Sequence, residues 1–297
     1  MKKIGFIGLG VMGSPMARHI IEKFGSAVVF DVDPSRMEPF RPVGAELAQG
    51  IADLAEKVDV AILSLPGSAI VREVVTGPGG LASAMREGGI VIDTSTTEPA
   101  VSIEVGKALA ERGVKFLDAP VSGGEKAAID GTLAFMVGGD EQTFSDCVEL
   151  LGAMGSPVRV GGIGMGEAAK LVNNMIVGAT FAIVAEAFAL GVRHGLDPKV
   201  LYEAIRAGWA GSKVLDVSVS AMLARDFKPG GTVNIHWKDL GYALSLAKDE
   251  DVPLPVTALV HEIFKAARAD GKGALSQPAI VTLWERFIGA EVKSQGP

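Results

Sequence analysis

"KKIGFIGLGVMGSPMARHIIEKFGSAVVFDVDP", residues 2–34, decides how this chain is to be read. It opens on a short apolar strand, breaks at glycines, continues in "VMGSPMARHIIEKF" with helical periodicity and returns to a strand in "SAVVFD". Gly8, Gly10 and Gly13 give the spacing GxGxxG, with Met12 inside it, between the first strand and the first helix. Such a loop brings backbone N–H groups and a helix N-terminus up to a pyrophosphate. The spacing alone is a weak signal, because glycine-rich turns are common. A strand before it, a helix after it and Asp31 closing the second strand make it a dinucleotide fingerprint. Asp31 stands where an acidic side chain binds the adenosine ribose hydroxyls and repels a 2′-phosphate, which predicts NAD. Val32 offers that phosphate no arginine, while Arg36 lies close enough in sequence to keep NADP as the alternative. The competing reading is a tight strand–helix turn with an incidental aspartate.

Working outward, "DVAILSLP", "GIVIDTS" and "VKFLDAPV" read as further strands, "PSRMEPFRPV" as a short helix opened by Pro34, and "EPAVSIEVGKALAERG" as a longer helix. The strands are continuously apolar, not alternating, which implies a sheet covered on both faces. Strand–helix alternation implies a parallel, doubly wound, Rossmann-type sheet. After about residue 163 the strands stop. A long helix from Gly164 to about Arg193 leads into "DPKVLYEAIRAG", with Asp197 as N-cap and Pro198 at the first helical position, and then into three more helical stretches. The expectation is an α/β chain: a dinucleotide-binding domain over residues 1–163, then an all-helical domain for substrate and oligomerisation over 164–297, joined by the long helix.

The 297 residues carry a net charge of −7, and 48% are hydrophobic, enough to bury real cores and to exclude a disordered chain. The acidic balance argues against a nucleic-acid surface, which needs clustered Lys and Arg. A single Cys147 excludes an internal disulfide, and its place in "DEQTFSDCVELLGAMG" reads as a small core residue of an amphipathic helix. The basic, apolar N-terminus resembles a secretory signal, but the glycine spacing and the strand that follows argue against one. The charge-free run from Leu171 to Ala185 is short for a membrane span, and Asn173 and Asn174 would be costly in lipid. A cytoplasmic protein outside the membrane is therefore expected. His19, His194, His236 and His261 lack metal-ligand spacing, and no G-x-S-x-G elbow occurs.

That charge-free run opens with Lys170, and Asn174 lies four residues on, so the two share one helix face. A plain core helix would omit both. Placed against a carbonyl oxygen, the lysine ammonium can donate a proton, and burial among apolar residues would ease its release near neutral pH. Asn174 can orient the lysine or bond the substrate. The apolar remainder would pack in the interior. A lysine snorkelling from a helix end is the alternative. "PVSGG" reads as a turn in which Ser122, Gly123 and Gly124 could collect a carboxylate in an anion nest, or as a simple loop. Lys238 is either an active-site cation or a helix-surface charge paired with Asp239.

Four stretches together resemble the β-hydroxyacid dehydrogenase family, which includes 3-hydroxyisobutyrate dehydrogenase and tartronate semialdehyde reductase: "GFIGLGVMGSPMA", "DAPVSGGEKAAIDGTL", "GIGMGEAAKLVNN" and "WKDLGYAL". They run through nearly the whole chain. The resemblance implies that Lys170 is the catalytic lysine with Asn174 beside it, and that Ser122, Gly123 and Gly124 bind substrate. It further implies that Lys238 stands at the active-site mouth, against substrate and cofactor, and that Leu65, Pro66 and Thr96 touch the cofactor. "AIRAGWAGSKVLD" and "RDFKPG" look most like the tartronate semialdehyde reductase branch, with a small carboxylate-bearing semialdehyde as substrate. A run as apolar as 171–185 points to burial between domains or subunits, and so to a homo-oligomer, dimer or tetramer. One departure is "GALSQPAIV" at 273–281, where relatives often carry an acidic or histidine residue before the small-residue turn and this chain has Gln277 and Pro278. The alternatives are a 3-hydroxyisobutyrate dehydrogenase, a succinic semialdehyde reductase of the same fold, or a dinucleotide sensor without catalysis. A sensor would have no need of Lys170 together with Asn174.

Overall fold

The structure, a computed structural model, describes residues 2–294. The chain divides into two compact units, the first ending at Lys170 and the second beginning at Leu171. The first unit runs β1 (Ile4–Ile7), α1 (Gly13–Phe24), β2 (Val28–Phe30), α2 (Pro34–Met37), β3 (Glu46–Leu47), α3 (Ile51–Lys57), β4 (Val60–Leu63), α4 (Ser68–Thr76), α5 (Leu81–Ala84), β5 (Ile90–Asp93), α6 (Pro99–Ala110), β6 (Lys115–Asp118), β7 (Val121–Ser122), α7 (Gly124–Ile129), β8 (Leu133–Gly139), α8 (Glu141–Leu151) and β9 (Gly155–Gly161). Helix α9 (Met165–His194) starts in this unit and continues into the second, where α10 (Pro198–Ile205), α11 (Lys213–Ala224), α12 (Val233–Asp249), α13 (Pro255–Ala267) and α14 (Val281–Ile288) follow.

The strands lie in the order β3-β2-β1-β4-β5-β6-β8-β7, with β9 on β8. Pairing is parallel from β3 through β6. Side chains alternate between faces, and both faces are covered, which is why the strands are apolar at every position. Phe6, Ile62 and Ile92 meet Met16 and Ile20 of α1 and Cys147 of α8 on one side. Ile7, Leu63 and Val91 meet Leu54 of α3, Val71 of α4 and Leu109 of α6 on the other. Full burial of each larger side chain stabilises by about 1.5–3 kcal/mol. A one-residue slip of any strand would exchange the two sets.

Beyond β6 the sheet departs from the purely parallel pattern. Strand β8 runs antiparallel to β6 and β7 and parallel to β9. Strands β3, β7, β8 and β9 carry little sequence signal. β3 and β7 are two residues long, and β9 holds Pro157 and has no fully buried position, as suits an edge strand.

In the second unit, Asp197 caps α10 by accepting from the Lys199 and Val200 amides, and Ser212 caps α11 through the Leu215 amide. Each cap is worth ~1 kcal/mol. Phe181, Ala185 and Phe188 of α9 pack with Leu215, Met222, Leu240, Phe264 and Ile280. The expected burial of the apolar remainder of α9 holds for these residues and for Leu171, Ala182, Val184 and Ala189, but not for the whole run. Val172, Ile176, Ile183 and Leu190 are more than half exposed. By length and composition α9 could cross a membrane. A run without charges carries no polar face to mark its inward side, so sequence periodicity could not separate the two stripes.

Candidate active site

Strand β1 stops at Ile7, and Gly8 turns the chain with φ 93°, a conformation open to glycine. A Cβ there would lie 2.3 Å from the Ser64 carbonyl oxygen, so only glycine lets this loop close onto the end of β4. Helix α1 follows with Met12 at its N-cap, no side-chain cap and no acidic residue in its first turn. The open side of Gly10 faces only Arg36. An uncapped helix end behind an open glycine loop is the arrangement that receives a phosphate group.

Asp31 lies one residue past β2 and is buried. Its Oδ2 accepts the Leu9 amide at 2.7 Å and its Oδ1 the Asp33 amide at 2.9 Å. A carboxylate has further lone pairs for ribose hydroxyls. Val32 points outward, 91% exposed. The Arg36 guanidinium is 3.8 Å from Asp31 Oδ2 and 3.4 Å from Asp33 Oδ2, held between the two carboxylates. Ser35, through its hydroxyl and amide, keeps the Asp33 carboxyl below its usual range, and Arg36 adds to this. Glycine loop, uncapped helix and buried acid together fit a dinucleotide.

Leu65, Pro66 and Thr96 come from the loops after β4 and β5, at the carboxyl ends of the parallel strands, where open α/β sheets bind ligands. Two hydrogen bonds join these loops and a third braces the second of them. Leu65 N donates to Ser95 Oγ at 2.8 Å, Ser95 N to Asp93 Oδ1 at 2.9 Å, and Thr94 Oγ1 to the Leu63 carbonyl at 2.6 Å.

"PVSGG", read from sequence as a turn or a simple loop, contains a short strand and a helix start. Val121 and Ser122 form β7, paired with Phe135 and Ala134, and Gly124 opens α7. Gly123 and Gly124 both take positive φ, 134° and 69°, instead of the alternation of hand that builds an anion nest. Just before this loop, Asp118 ends β6 fully buried and accepts the Gly164 amide at 2.8 Å and the Glu167 amide at 3.0 Å. Burial pushes its pKa up, against the pull of these amides. Asp118 thus ties the strand that leads to Ser122 to the first turn of α9. One turn further on is Lys170, only 9% exposed.

Within the second unit, Asn174 is fixed from three sides. Its Nδ2 donates to Asp239 Oδ2 at 2.7 Å, and its Oδ1 accepts from Asn173 Nδ2 at 2.9 Å. Its backbone oxygen lies 3.0 Å from His236 Nε2. A carbonyl only accepts, so His236 carries its proton on Nε2. Gly178 leaves the room for that ring, since a Cβ there would lie 2.5 Å from Nε2. Lys238 Nζ stands 3.3 Å from Asp239 Oδ1 and 5.0 Å from the Tyr242 ring centroid. Asp239 Oδ1 has no hydrogen-bond partner among the described residues, so its contact with Lys238 is Coulombic, not a well-directed hydrogen bond. Asn174 and Lys238 are joined through Asp239. Gln277, the departure noted in the sequence, donates its backbone N–H to the Gly231 carbonyl at 3.2 Å beside the Thr232–Ser276 bridge, and so locks two loops together.

Residues 3–164 match the model of the NAD binding domain of 6-phosphogluconate dehydrogenase, and residues 164–284 match that described as NAD-binding of NADP-dependent 3-hydroxyisobutyrate dehydrogenase. The chain is 37% identical over 292 residues to 2-(hydroxymethyl)glutarate dehydrogenase of Eubacterium barkeri, covering 98% of this chain and 97% of that one. It is 35% identical over 284 residues to 2-hydroxy-3-oxopropionate reductase of Escherichia coli K12, covering 95% and 97%. The Mycobacterium tuberculosis 3-hydroxyisobutyrate dehydrogenase structure with L-serine superposes with a TM-score of 0.87 at 30% identity, covering 95% of this chain and 99% of that one. The chain belongs to the β-hydroxyacid dehydrogenase family. As a member of that family it is an oxidoreductase with a nicotinamide-dinucleotide-binding domain.

For a β-hydroxyacid dehydrogenase, the sequence named candidate ligand positions more readily than the residues that hold them. Asp118 and Glu167 escaped notice, and Asp239 was read only as a possible partner of Lys238. Asp118 reaches 46 residues along the chain and Asp239 reaches 65, and no local pattern marks such partners. The available signal was chemical: a charged residue inside an otherwise apolar stretch needs a partner when buried. Among the described residues, no group of three or more His, Cys, Asp or Glu side chains is placed to hold a metal ion.

Proposed function

We propose that this dehydrogenase works in the cytoplasm and uses NAD(H) to reduce a small carboxylate-bearing semialdehyde, foremost tartronate semialdehyde (2-hydroxy-3-oxopropanoate) to glycerate, with Lys170 as proton donor. The observation that carries this is a nearly buried lysine in the second turn of an apolar helix, sharing a face with an asparagine whose amide is oriented by a buried carboxylate. NADH, when bound, supplies the hydride. Lys170 gives the carbonyl oxygen its proton as the carbon is reduced, and takes one back in the reverse direction. Asn174 holds the oxygen in line with the lysine, and Ser122 with Gly123 and Gly124 receives the carboxylate. Asp31 holds the adenosine ribose, and Gly8, Gly10, Met12 and Gly13 form the phosphate loop. Leu65, Pro66 and Thr96 line the nicotinamide side, and Lys238 adds positive charge for anionic groups of substrate and cofactor. Residues 1–163 then serve the cofactor, and residues 164–297 serve substrate and assembly.

The choice of tartronate semialdehyde is supported by "AIRAGWAGSKVLD" and "RDFKPG" and by the likeness to the Escherichia coli reductase. NADH consumption on tartronate, methylmalonate and succinic semialdehydes tests it. We expect the highest kcat/KM on tartronate semialdehyde. A higher value on either of the others would replace it with 3-hydroxyisobutyrate dehydrogenase or succinic semialdehyde reductase activity. The exposed stripe Val172, Ile176, Ile183 and Leu190 supports contact between copies of this chain as a dimer or tetramer, which the molar mass in solution would show.

A further inference from the structure

The first turn of α9 carries a carboxyl group that the reaction above does not use. Glu167 is fully buried, three residues before Lys170. Its Oε1 accepts the Thr97 hydroxyl at 3.2 Å, and that hydroxyl lies 3.1 Å from Ser102 Oγ. Its Oε2 has no hydrogen-bond partner among the described residues. Two further carboxyl groups bear on it, Asp93 from the end of β5 and Asp118 from the end of β6, both fully buried. Thr97 and Ser102, on the loop and helix between β5 and β6, are uncharged, and on its own helix the next charged residue is Lys170. A negative charge here would be fully buried beside two other carboxyl groups, with no hydrogen bond to Oε2 among the described residues, so the group keeps its proton. Burial first, then Asp93 and Asp118, push its pKa well above the usual carboxyl range, against the Thr97 contacts.

We propose that Glu167 is a positioning residue for Lys170, a neutral acid that clamps the 94–97 loop to the first turn of α9 without placing a negative charge beside the lysine. This rests on the reading of Lys170 as proton donor. Two consequences follow from the placement. The clamp sets the turn from which Lys170 projects and, through the same loop, the place of Thr96. Neutrality matters separately. An ionised glutamate at this spacing would hold the ammonium in its charged form and oppose proton release.

The test compares wild type, Glu167→Gln and Glu167→Ala. Infrared difference spectra, wild type minus Glu167→Gln, read the protonation state without reference to activity. We expect a protonated carboxylic acid band at neutral pH. A carboxylate band in its place overturns the proposal. Glutamine keeps the shape of the neutral acid, so the pH profile of kcat should overlay that of wild type. A displacement toward lower pH by a unit or more would mean that an ionised Glu167 had been raising the lysine pKa, and would also overturn it. Glu167→Ala should lose about tenfold or more in kcat through misplacement, with NADH binding kept. An unchanged kcat there removes the clamp. If the alanine variant does not fold, the glutamine variant still decides by band and profile. Should Lys170→Ala prove fully active, the proton-donor reading fails while the infrared result stands by itself.

Discussion

The two units fix their candidate residues in different ways. In the first, the candidate residues sit on loops at the ends of neighbouring parallel strands, and bonds such as Leu9 N to Asp31 and Leu65 N to Ser95 connect one loop to the next. In the second, Asn174 owes its orientation to Asp239 and His236, on a helix more than sixty residues away in sequence. A parallel sheet delivers every strand's carboxyl end to one edge, so a fingerprint plus a strand pattern is enough to place the loops. Helix packing offers no such rule. The difference implies that the first unit's contribution is spread over many backbone bonds, whereas the second unit's depends on a few side chains.

Changing single residues tests that contrast. Asp239→Ala leaves the Asn174 amide without its acceptor, and kcat should fall by about 10–100-fold while NADH affinity holds. Asp239→Asn keeps the shape and should lose less. If both variants kept wild-type kcat, the second unit would be no more dependent on single side chains than the first. In the first unit, kcat/KM with NADH should exceed that with NADPH by about tenfold, a difference of ~1.4 kcal/mol. Asp31→Asn should narrow that ratio by removing the repulsion, and adding Val32→Arg should narrow it further. A wild-type preference for NADPH would shift the reading to Arg36, freed from its two aspartates. Ser122→Ala should raise KM for carboxylate-bearing aldehydes by ~3–10-fold, about the worth of one hydrogen bond. An uncharged aldehyde of similar size is the control, and an equal loss on it would make the loop structural.

The smallest effect is on stability. Glu167 has a folded-state pKa raised above its unfolded value, so its contribution is fully present below the unfolded pKa and is lost as pH rises through the folded one. Glu167→Gln removes that loss. Its Tm should therefore gain on wild type as pH rises above the ordinary carboxyl range, and parallel curves at all pH values would contradict this.

The doubly wound sheet and the helical second half were legible because burial on both faces leaves every strand position apolar, as in Ile4–Ile7 and Ile90–Asp93. Capping chemistry was legible too, since Asp197 followed by Pro198 allows few other readings. The antiparallel edge was not, because β7 is two residues long and β9 looks like a loop with Pro157 in it. On α9 the lysine and asparagine stood out against an apolar background. Which apolar side turns inward depends on where His236 meets Gly178, and that information lies on another helix. Asp31 was visible as an acid after a strand. That its carboxylate also holds the glycine loop through Leu9 needed coordinates.

The most direct measurement is a pair of titrations on Lys170→Ala: single-turnover reduction of tartronate semialdehyde, and NADH binding followed by cofactor fluorescence. Loss of a positioned general acid costs about 10²–10⁴ in rate. The rate should therefore fall by that much while the Kd for NADH stays within about twofold of wild type. A wild-type single-turnover rate would contradict Lys170 as the proton donor.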